Sequence, residues 1–573
     1  MMKMPGAKLA AARLTRFQSI RAQAYHHARG DFRAAAIRRH WRLRHTQLKA
    51  MQNLALRFLT LLLALAATLA AQRVEVEELT LDNGMTFLLL PREGDPNVAA
   101  GWISKFGSVN ERPGVTGVAH LFEHMMFKGS HAIGTKDLKR DLEIMDELDG
   151  LYAEMESERA KLLEKQRRGL IADADNPAVR SPEHSELLER FSRLIAEQQE
   201  LIVKDEFSQI YTLNGGSGMN AGTSNDYTIY FINMPSNKLE LWFWMESDRL
   251  AQPVFRQFYA ERDVVKEERR LRVDSTPTGK LNEQFESMFW QASPYSWPVI
   301  GWPSDLNSIT RDEAMEYFDT YYAPNNLVAS LVGDFDIEQV KGLAQKYFGR
   351  LERNEREPGA VRTREVEQQA EQRLSGHAET RPQATVRFHT APDAHVDEPA
   401  LIVLSSLLNG RTGRLYKSLV LEKQVAVQAG AGVDGRKYDG SFQVSGVAAP
   451  GSTPEDVEKA LLEELDRIAA EPVAERELQK VKNQQLAGDF RKLQSKFGLM
   501  LQLLTYEALG EWENINVFSE RIQAVTPGDI QRVAKKYFTE TNRTVALYYT
   551  KEGAGPPGGR GGGRGRGPQG GRP

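Results

Sequence analysis

Thr310-Arg-Asp-Glu-Ala-Met-Glu-Tyr-Phe-Asp-Thr-Tyr321, with Asn326 five residues on and then Leu-Val-Ala-Ser-Leu-Val, has a counterpart far downstream. It is Thr526-Pro-Gly-Asp-Ile-Gln-Arg-Val-Ala-Lys-Lys-Tyr537, with Asn542 five on and then Arg-Thr-Val-Ala-Leu-Tyr. Each copy opens on a threonine suited to cap a helix, continues as a helix and ends in a strand. A unit that recurs in this way indicates two similar domains. The first is expected over about 74–351 and the second over about 381–550. Between them 352–380 is charged and poor in apolar residues, and reads as a linker. Leu79-Thr-Leu-Asp-Asn83-Gly84-Met-Thr-Phe opens the first domain as a hairpin. Strand and helix patterns mix without a regular βαβ rhythm, so the expected class is α+β. With 573 residues and 41% hydrophobic content there is enough apolar material for sizeable cores.

The chemistry is concentrated in His120-Leu-Phe-Glu-His124. On a helix, residues four apart share one face, and a residue three after the first shares it too. His120 and His124 can therefore hold one metal ion, with Glu123 beside an open coordination position. The order is inverted relative to His-Glu-x-x-His and is the inverzincin pattern. Downstream, Glu261-Arg-Asp-Val-Val-Lys-Glu-Glu268 sets two carboxylates seven apart, two turns along one face of a second helix. One of them can supply a third protein ligand; read without further context, both are equally well surface charges on a crowded helix.

Over about 74–550 these motifs resemble the M16 family of zinc peptidases, the group containing insulysin, pitrilysin and the mitochondrial processing peptidases. His120-Leu-Phe-Glu-His124-Met-Met-Phe-Lys-Gly resembles that family's ligand helix, and Glu261 to Glu268 its downstream Glu pair. The resemblance implies two homologous M16-type domains, each an antiparallel-rich sheet flanked by helices. It also implies one zinc ion per chain on His120, His124 and Glu268, with Glu123 as the general base and Glu261 as an outer-shell member of the catalytic set. Zinc would then polarise the scissile carbonyl and acidify its bound water, whose proton Glu123 accepts.

Glu123 and Glu268 are 145 residues apart. Setting aside a charge-dense stretch over about 139–207 brings the separation to the family's usual one. That stretch reads as two helices, Asp141 to Arg168 and Glu183 to Lys204, broken at Asp175-Asn176-Pro177 and Ser181-Pro182. It is expected as a helical hairpin inserted beside the active site, with a coiled-coil partner site as the alternative. After it, the glycines of Gly215-Gly-Ser-Gly-Met-Asn220-Ala221 read as a flexible approach to a strand over Tyr227 to Ile232. Here the chain resembles the family's substrate-binding edge, with Asn220 and Ala221 at the matching positions. An edge strand accepts an extended peptide whatever its side chains, so loose specificity is expected. A turn residue that starts the strand is the other reading of Asn220.

Arg411-Thr-Gly-Arg414-Leu-Tyr416 to Val427 resembles the family segment that carries an Arg and, seven residues on, a substrate-gripping Tyr. This chain has Val420 and Val427 there. The family's single-chain members close a chamber with four such domains, and this chain supplies two. The resemblance therefore implies a second polypeptide, a zinc-free homologue carrying the Arg and Tyr in preference to a homodimer.

Residues 1–50 carry 12 Lys and Arg against one Asp and read as a basic extension that is not native, with Met51 as the start. Residues 51–71 read as a signal peptide: Arg57, an apolar run from Phe58, and small residues at Ala70 and Ala71. The run is short for a membrane span. A mitochondrial transit peptide is the competing reading. With no Cys in the chain, disulfides and a lipidated cysteine are excluded. A periplasmic or secreted location is expected, and no nucleic-acid partner. The tail from 551 to 573 is Gly, Arg and Pro with almost nothing to bury, so it is expected to be disordered. The function expected is an exported zinc endopeptidase acting on peptides or unfolded segments. A presequence-processing peptidase and a catalytically silent subunit of the same fold are the alternatives.

Overall fold

Two sheets built on one plan organise the protein, whose computed structural model describes residues 73–355 and 358–552. The first sheet holds β1 (Glu77–Thr80), β2 (Thr86–Pro91), β3 (Asn97–Ser104), β4 (Ser217–Thr223), β5 (Thr228–Pro235) and β6 (Leu327–Gly333), in the order β1-β2-β6-β3-β5-β4. The second holds β7 (Gln372–Ala378), β8 (Gln383–Thr390), β9 (Ala426–Gly435), β10 (Gly440–Ala448) and β11 (Arg543–Thr550), in the order β7-β11-β8-β10-β9. In each sheet the last strand of the half inserts between the first two of its core, parallel to one and antiparallel to the other. Thus β6 and β11 are equivalent, as are β4 and β9 at the outer edges. The class is α+β, as expected.

The repeated sequence unit is the piece that completes each sheet. Thr310 caps helix Arg311–Tyr321 in a reciprocal box with Glu313, and Thr526 caps Pro527–Tyr537 in the same way with Asp529. Such a box satisfies two orphan amides at each helix start. Each helix then delivers a strand, and β6 is buried along its whole length. Phe87, Trp102, Phe122, Tyr230 and Phe243 belong to the first core, and Phe388, Leu404, Phe442, Leu461 and Val545 to the second.

The halves are interleaved within one compact unit that begins at Glu75. Helix Gly279–Phe289, from the first half, packs Leu281 and Phe285 against Leu374, Ala546 and Tyr548 of the second sheet. Helix Lys496–Leu509, from the second half, lies across β3 and β6. There Met500 comes so close to Gly101 that a Cβ on that glycine would sit 3.0 Å from its sulfur and 2.8 Å from the Tyr230 carbonyl.

Three expectations are corrected. Part of 352–380 is β7, an edge strand paired in parallel with β11; its polar, half-exposed alternation conceals it in a sequence. The glycine-rich stretch before Asn220 is itself β4, paired with β5 across a register shift between Ser217 and Asn220. The hairpin helices run Leu138–Arg167 and Pro182–Leu201, because Asp137 and Ser181 cap their first turns and the backbone turns extended at Ile202. Among the described residues no helix is long and apolar enough to cross a membrane. The basic extension (1–50), the signal peptide (51–71) and the tail beyond residue 552 lie outside the described residues.

The hairpin is fastened to the first core by one face. Asp141 is buried with Arg256 at 2.8 Å and with Gln198 at 2.9 Å. Tyr152 and Phe191 pack on Tyr259 at ring separations of 4.7 and 5.3 Å, and Tyr259 donates to Asp149. Tyr259 belongs to helix Phe258–Arg269, which carries Glu261 and Glu268. The inserted element therefore grips the helix that bears both carboxylates.

Candidate active site

Helix Val118–Met125 starts at Gly117, whose φ of 89° is left-handed and whose missing side chain lets the Ile300 carbonyl approach; a Cβ there would lie 2.7 Å from it. The Glu111 carboxylate accepts from the amides of Gly117 and Ala119 at 2.9 and 2.8 Å, closing the helix start. The helix buries Leu121, Phe122 and Met125 and turns His120, Glu123 and His124 toward helix Phe258–Arg269.

There the structure brings together His120, His124 and Glu268, whose ligand atoms all lie within 4.8 Å of one another. Glu268 Oε2 is 3.8 Å from His120 Nε2 and 3.5 Å from His124 Nε2. Two donors about 2.1 Å from a tetrahedral centre stand about 3.4 Å apart, so the three residues fit a zinc ion with little adjustment. Glu261 is the outer carboxylate. Its Oε1 lies 2.9 Å from His124 Nδ1 and its Oε2 2.5 Å from Lys128 Nζ, so His124 is left with Nε2 facing Glu268. A carboxylate on the far ring nitrogen fixes tautomer and orientation. His120 has no such support: its Nδ1 is buried with no partner among the described residues.

The electrostatics favour a cation. Burial, helped by the positive fields of His124 and Arg272, pushes His120 down to about 3, so its approach to Glu268 is that of a neutral donor and not of an ion pair. Burial also works against a charged His124, but the hydrogen bond and charge of Glu261, with Glu123 and Glu268, outweigh it and leave its pKa raised. Glu261 is the complement: burial would raise it, and His124 and Lys128 hold it below the usual carboxylate range. Glu123 is raised, chiefly by burial and against the hydrogen bond it accepts from Thr223 Oγ1 at 2.6 Å. A carboxylate raised in this way is a stronger proton acceptor than an ordinary one.

Asn220 and Ala221 lie on β4, outside this cluster. Asn220 is exposed at the sheet edge, where its Oδ1 accepts from the Ala221 amide at 2.9 Å, and Ala221 pairs with Tyr230. The strand they belong to ends at Thr223, the residue that holds Glu123. Val427 lies on β9 and is 40% exposed, and Val420 lies in the turn of helix Tyr416–Glu422 just before it.

Three contacts went unread in the sequence. Lys128 lies four residues after His124, just past the helix end at Met125, so no helical period places it. Arg272, four after Glu268 and 2.5 Å from its Oε1, sits on a π-helical turn that no periodicity signals. Thr223 meets Glu123 only because the sheet brings the two segments together.

Comparison with known proteins gives a consistent result. A family model described as "Insulinase (Peptidase family M16)" matches residues 88–147, and one described as "Peptidase M16 inactive domain" matches 308–485. The protein from Helicobacter pylori named zinc protease PqqE is 24% identical over 514 residues, 88% of this chain and 99% of its own. The Bacillus subtilis zinc protease YmxG is 21% identical over 476 residues, 81% of this chain and 96% of its own. Among solved structures, a protease from Helicobacter pylori aligns with TM-score 0.68 at 23% identity, over 83% of this chain and 100% of that one. The periplasmic protease PqqL from Escherichia coli aligns with TM-score 0.61 at 16% identity, over 84% of this chain and 48% of that one. Both likenesses are likenesses of fold.

Proposed function

The chain belongs to the M16 family of peptidases, and from that premise we propose that it is an exported zinc endopeptidase acting on peptides or unfolded segments. The observation that carries the reading is the convergence of His120, His124 and Glu268 within 4.8 Å, with Glu123 beside them. When bound, zinc supplies Lewis-acid polarisation of a carbonyl and makes water more acidic at neutral pH. The remaining work falls to the chain. Glu123 takes a proton from the attacking water as its oxygen bonds to the carbonyl carbon, and returns that proton to the amine nitrogen as the C–N bond breaks. Thr223 holds the carboxylate that does so. Glu261, backed by Lys128, keeps His124 oriented. The substrate lies extended against β4 at Asn220 and Ala221, gripped through its backbone, which makes specificity loose.

Two M16-type domains leave the substrate open on the side away from the metal. The reading includes a partner chain, a zinc-free homologue that supplies an Arg and a Tyr seven residues apart where Val420 and Val427 stand here. Export rests on the signal-like 51–71, and the periplasmic description of PqqL agrees with it.

The test is metal analysis combined with peptide cleavage for the wild type and Glu123→Gln. One zinc per chain in both, with cleavage by the wild type only, is the expected result. A zinc-loaded wild type that cleaves nothing, alone or with a partner, would make the chain a silent subunit.

A further inference from the structure

The helical hairpin is fastened at its root, where Asp141, Asp149, Tyr152 and Phe191 hold it to the first core. Farther out it holds only to itself. The hydrogen bonds and ion pairs of residues 156–181 stay inside the hairpin: Arg159 with Asp175 at 3.0 Å, Ser181 with Glu158 at 3.3 Å, and the Ala174 amide with Gln166 at 3.0 Å. At about 1.5 Å per residue, Arg167 stands about 22 Å beyond Tyr152 along the helix Leu138–Arg167. We propose that this far end is a docking surface for an anionic lipid bilayer. Leu170 and Ile171 enter the lipid while the Lys and Arg side chains beside them meet the headgroups.

The apex carries more than its own turn requires. The helix ends at Gly169, whose φ of 70° is left-handed; the Gly169 amide donates to the Gln166 carbonyl at 2.8 Å and the Leu170 amide to that of Lys165 at 2.9 Å. In a helix end of this form the residue after the glycine is commonly apolar, because it folds back onto an apolar side chain one turn earlier. Here the positions it would cover are Glu164 and Lys165, and Leu170 is 70% exposed. A Cβ on Gly169 would meet nothing within 4 Å, so nothing covers the turn, and Leu163 on the last turns of the helix is 43% exposed. The turn explains the glycine and leaves the leucine facing water.

Charge is divided along the same helix. Residues 141–158 carry eight Asp and Glu and no Lys or Arg, whereas 159–168 carry five Lys and Arg and one Glu. Basic residues suit the negative end of a helix, but these exceed what local pairing neutralises. Glu164 is shared by Arg167 and Arg168, both exposed, and Lys165 makes no ion pair among the described residues. With Asp173, Asp175 and Arg180 of the loop counted, 159–180 still holds three more Lys and Arg than Asp and Glu. Exposed apolar side chains among basic ones partition to anionic membrane surfaces. Two such side chains are too narrow a face for a stable protein interface. The acidic stretch behind the apex is repelled by the same lipid, so the contact is end-on, and the root that grips Tyr259 and its helix stands back from the membrane.

The experiment mixes the full chain with vesicles of phosphatidylcholine alone, or of phosphatidylcholine and phosphatidylglycerol in equal parts, and separates bound protein by flotation. The wild type should prefer the anionic vesicles, bind them less at high salt, and show slower hydrogen exchange over 163–172 when bound. Leu170→Ser should lower the partition coefficient about tenfold. Lys165→Gln with Arg168→Gln should lower it about tenfold on the anionic vesicles. Lys139→Gln, which removes a charge at the hairpin root, should leave it unchanged. The basic 1–50 and the tail are present in every preparation, so differences between variants belong to the apex. Thermal unfolding is measured on each, and if the double variant melts early, Leu170→Ser decides. Equal binding by wild type and Leu170→Ser, or exchange over 163–172 untouched by vesicles, would overturn the proposal. Protection of that stretch by an acidic protein and none by vesicles would also overturn it, in favour of a protein partner.

Discussion

Thr223 donates its hydroxyl to Glu123 across a gap of 2.6 Å, and Thr223 is the last residue of the edge strand β4. The strand against which a peptide would lie is thus wired to the carboxylate that would move its proton. Replacing the hydroxyl should loosen Glu123 without touching the three candidate metal donors, His120, His124 and Glu268. Thr223→Val is expected to lower kcat about tenfold, in line with the 1.5–3 kcal/mol that a hydrogen bond to a charged group contributes. KM and zinc content should change little, and Thr223→Ser should recover most of the rate. Loss of zinc in the valine variant would mean that the contact supports the metal site instead.

The two carboxylates of helix Phe258–Arg269 should separate cleanly in metal-binding measurements. On the proposed assignment Glu268→Gln removes a donor and should abolish stoichiometric zinc. Glu261→Gln leaves the donors but releases His124, and should weaken zinc affinity by about 10–100-fold. Titration against a chelator of known affinity measures both. Normal zinc in Glu268→Gln together with zinc loss in Glu261→Gln would reverse the two roles.

Much of this site was legible because it is local. His120 and His124 share one helix, Glu261 and Glu268 another, and a helical period states their juxtaposition without any knowledge of the fold. The duplicated Thr310 and Thr526 units were legible for the same reason, since a capping box is written within four residues. Thr223 and Arg272 were not, because strand pairing and a π-helical turn place them. Strand β7 stayed hidden behind Gln372, Arg373 and Ser375, which make an exposed edge look like a linker. Strand β4 stayed hidden because its glycines offer no side-chain alternation to read.

A buried ion pair sets the hairpin's attachment. Arg256 is 1% exposed and Asp141 fully buried, and removing one member of such a pair commonly costs about 3–5 kcal/mol, since the other keeps an uncompensated charge. Asp141→Ala should lower the denaturant midpoint accordingly. Hydrogen exchange should rise first over 138–208 and over helix Phe258–Arg269. Uniform exchange across both sheets would show that the pair does not act locally.

Acid should act on the seam between the halves. Glu286 is desolvated, which by itself raises its pKa, but Arg387 and Arg436 outweigh this and hold it down at about 2. A folded-state value below the unfolded one contributes stability above the ordinary carboxylate range, and that contribution is lost as pH falls toward 2. Melting temperature should therefore drop between about pH 5 and pH 2. Glu286→Gln should start lower and lose less over the same interval. An identical slope for the variant would place the acid sensitivity elsewhere.

Assembly gives the last expectation. The purified chain should cleave peptides weakly and gain activity when a zinc-free homologue with the Arg and Tyr is added. A carbonyl misplaced by about 1 Å can cost roughly 10²-fold. Full activity in a preparation shown to be monomeric or homodimeric, unchanged by any partner, would contradict it.

The crossed helices have a bearing on how such a chain can be cut and joined. Gly279–Phe289 roofs a sheet made mostly from later sequence, and Lys496–Leu509 roofs one made from earlier sequence. A break between residues 351 and 372 would respect the strand count of each sheet and still strip each of its borrowed cover, exposing Leu281 and Phe285 on one piece and Leu499, Met500 and Leu503 on the other. The duplication is visible in the topology, yet the copies have become mutual scaffolds. Fragments of this chain are better suited to recombine with each other than to live apart.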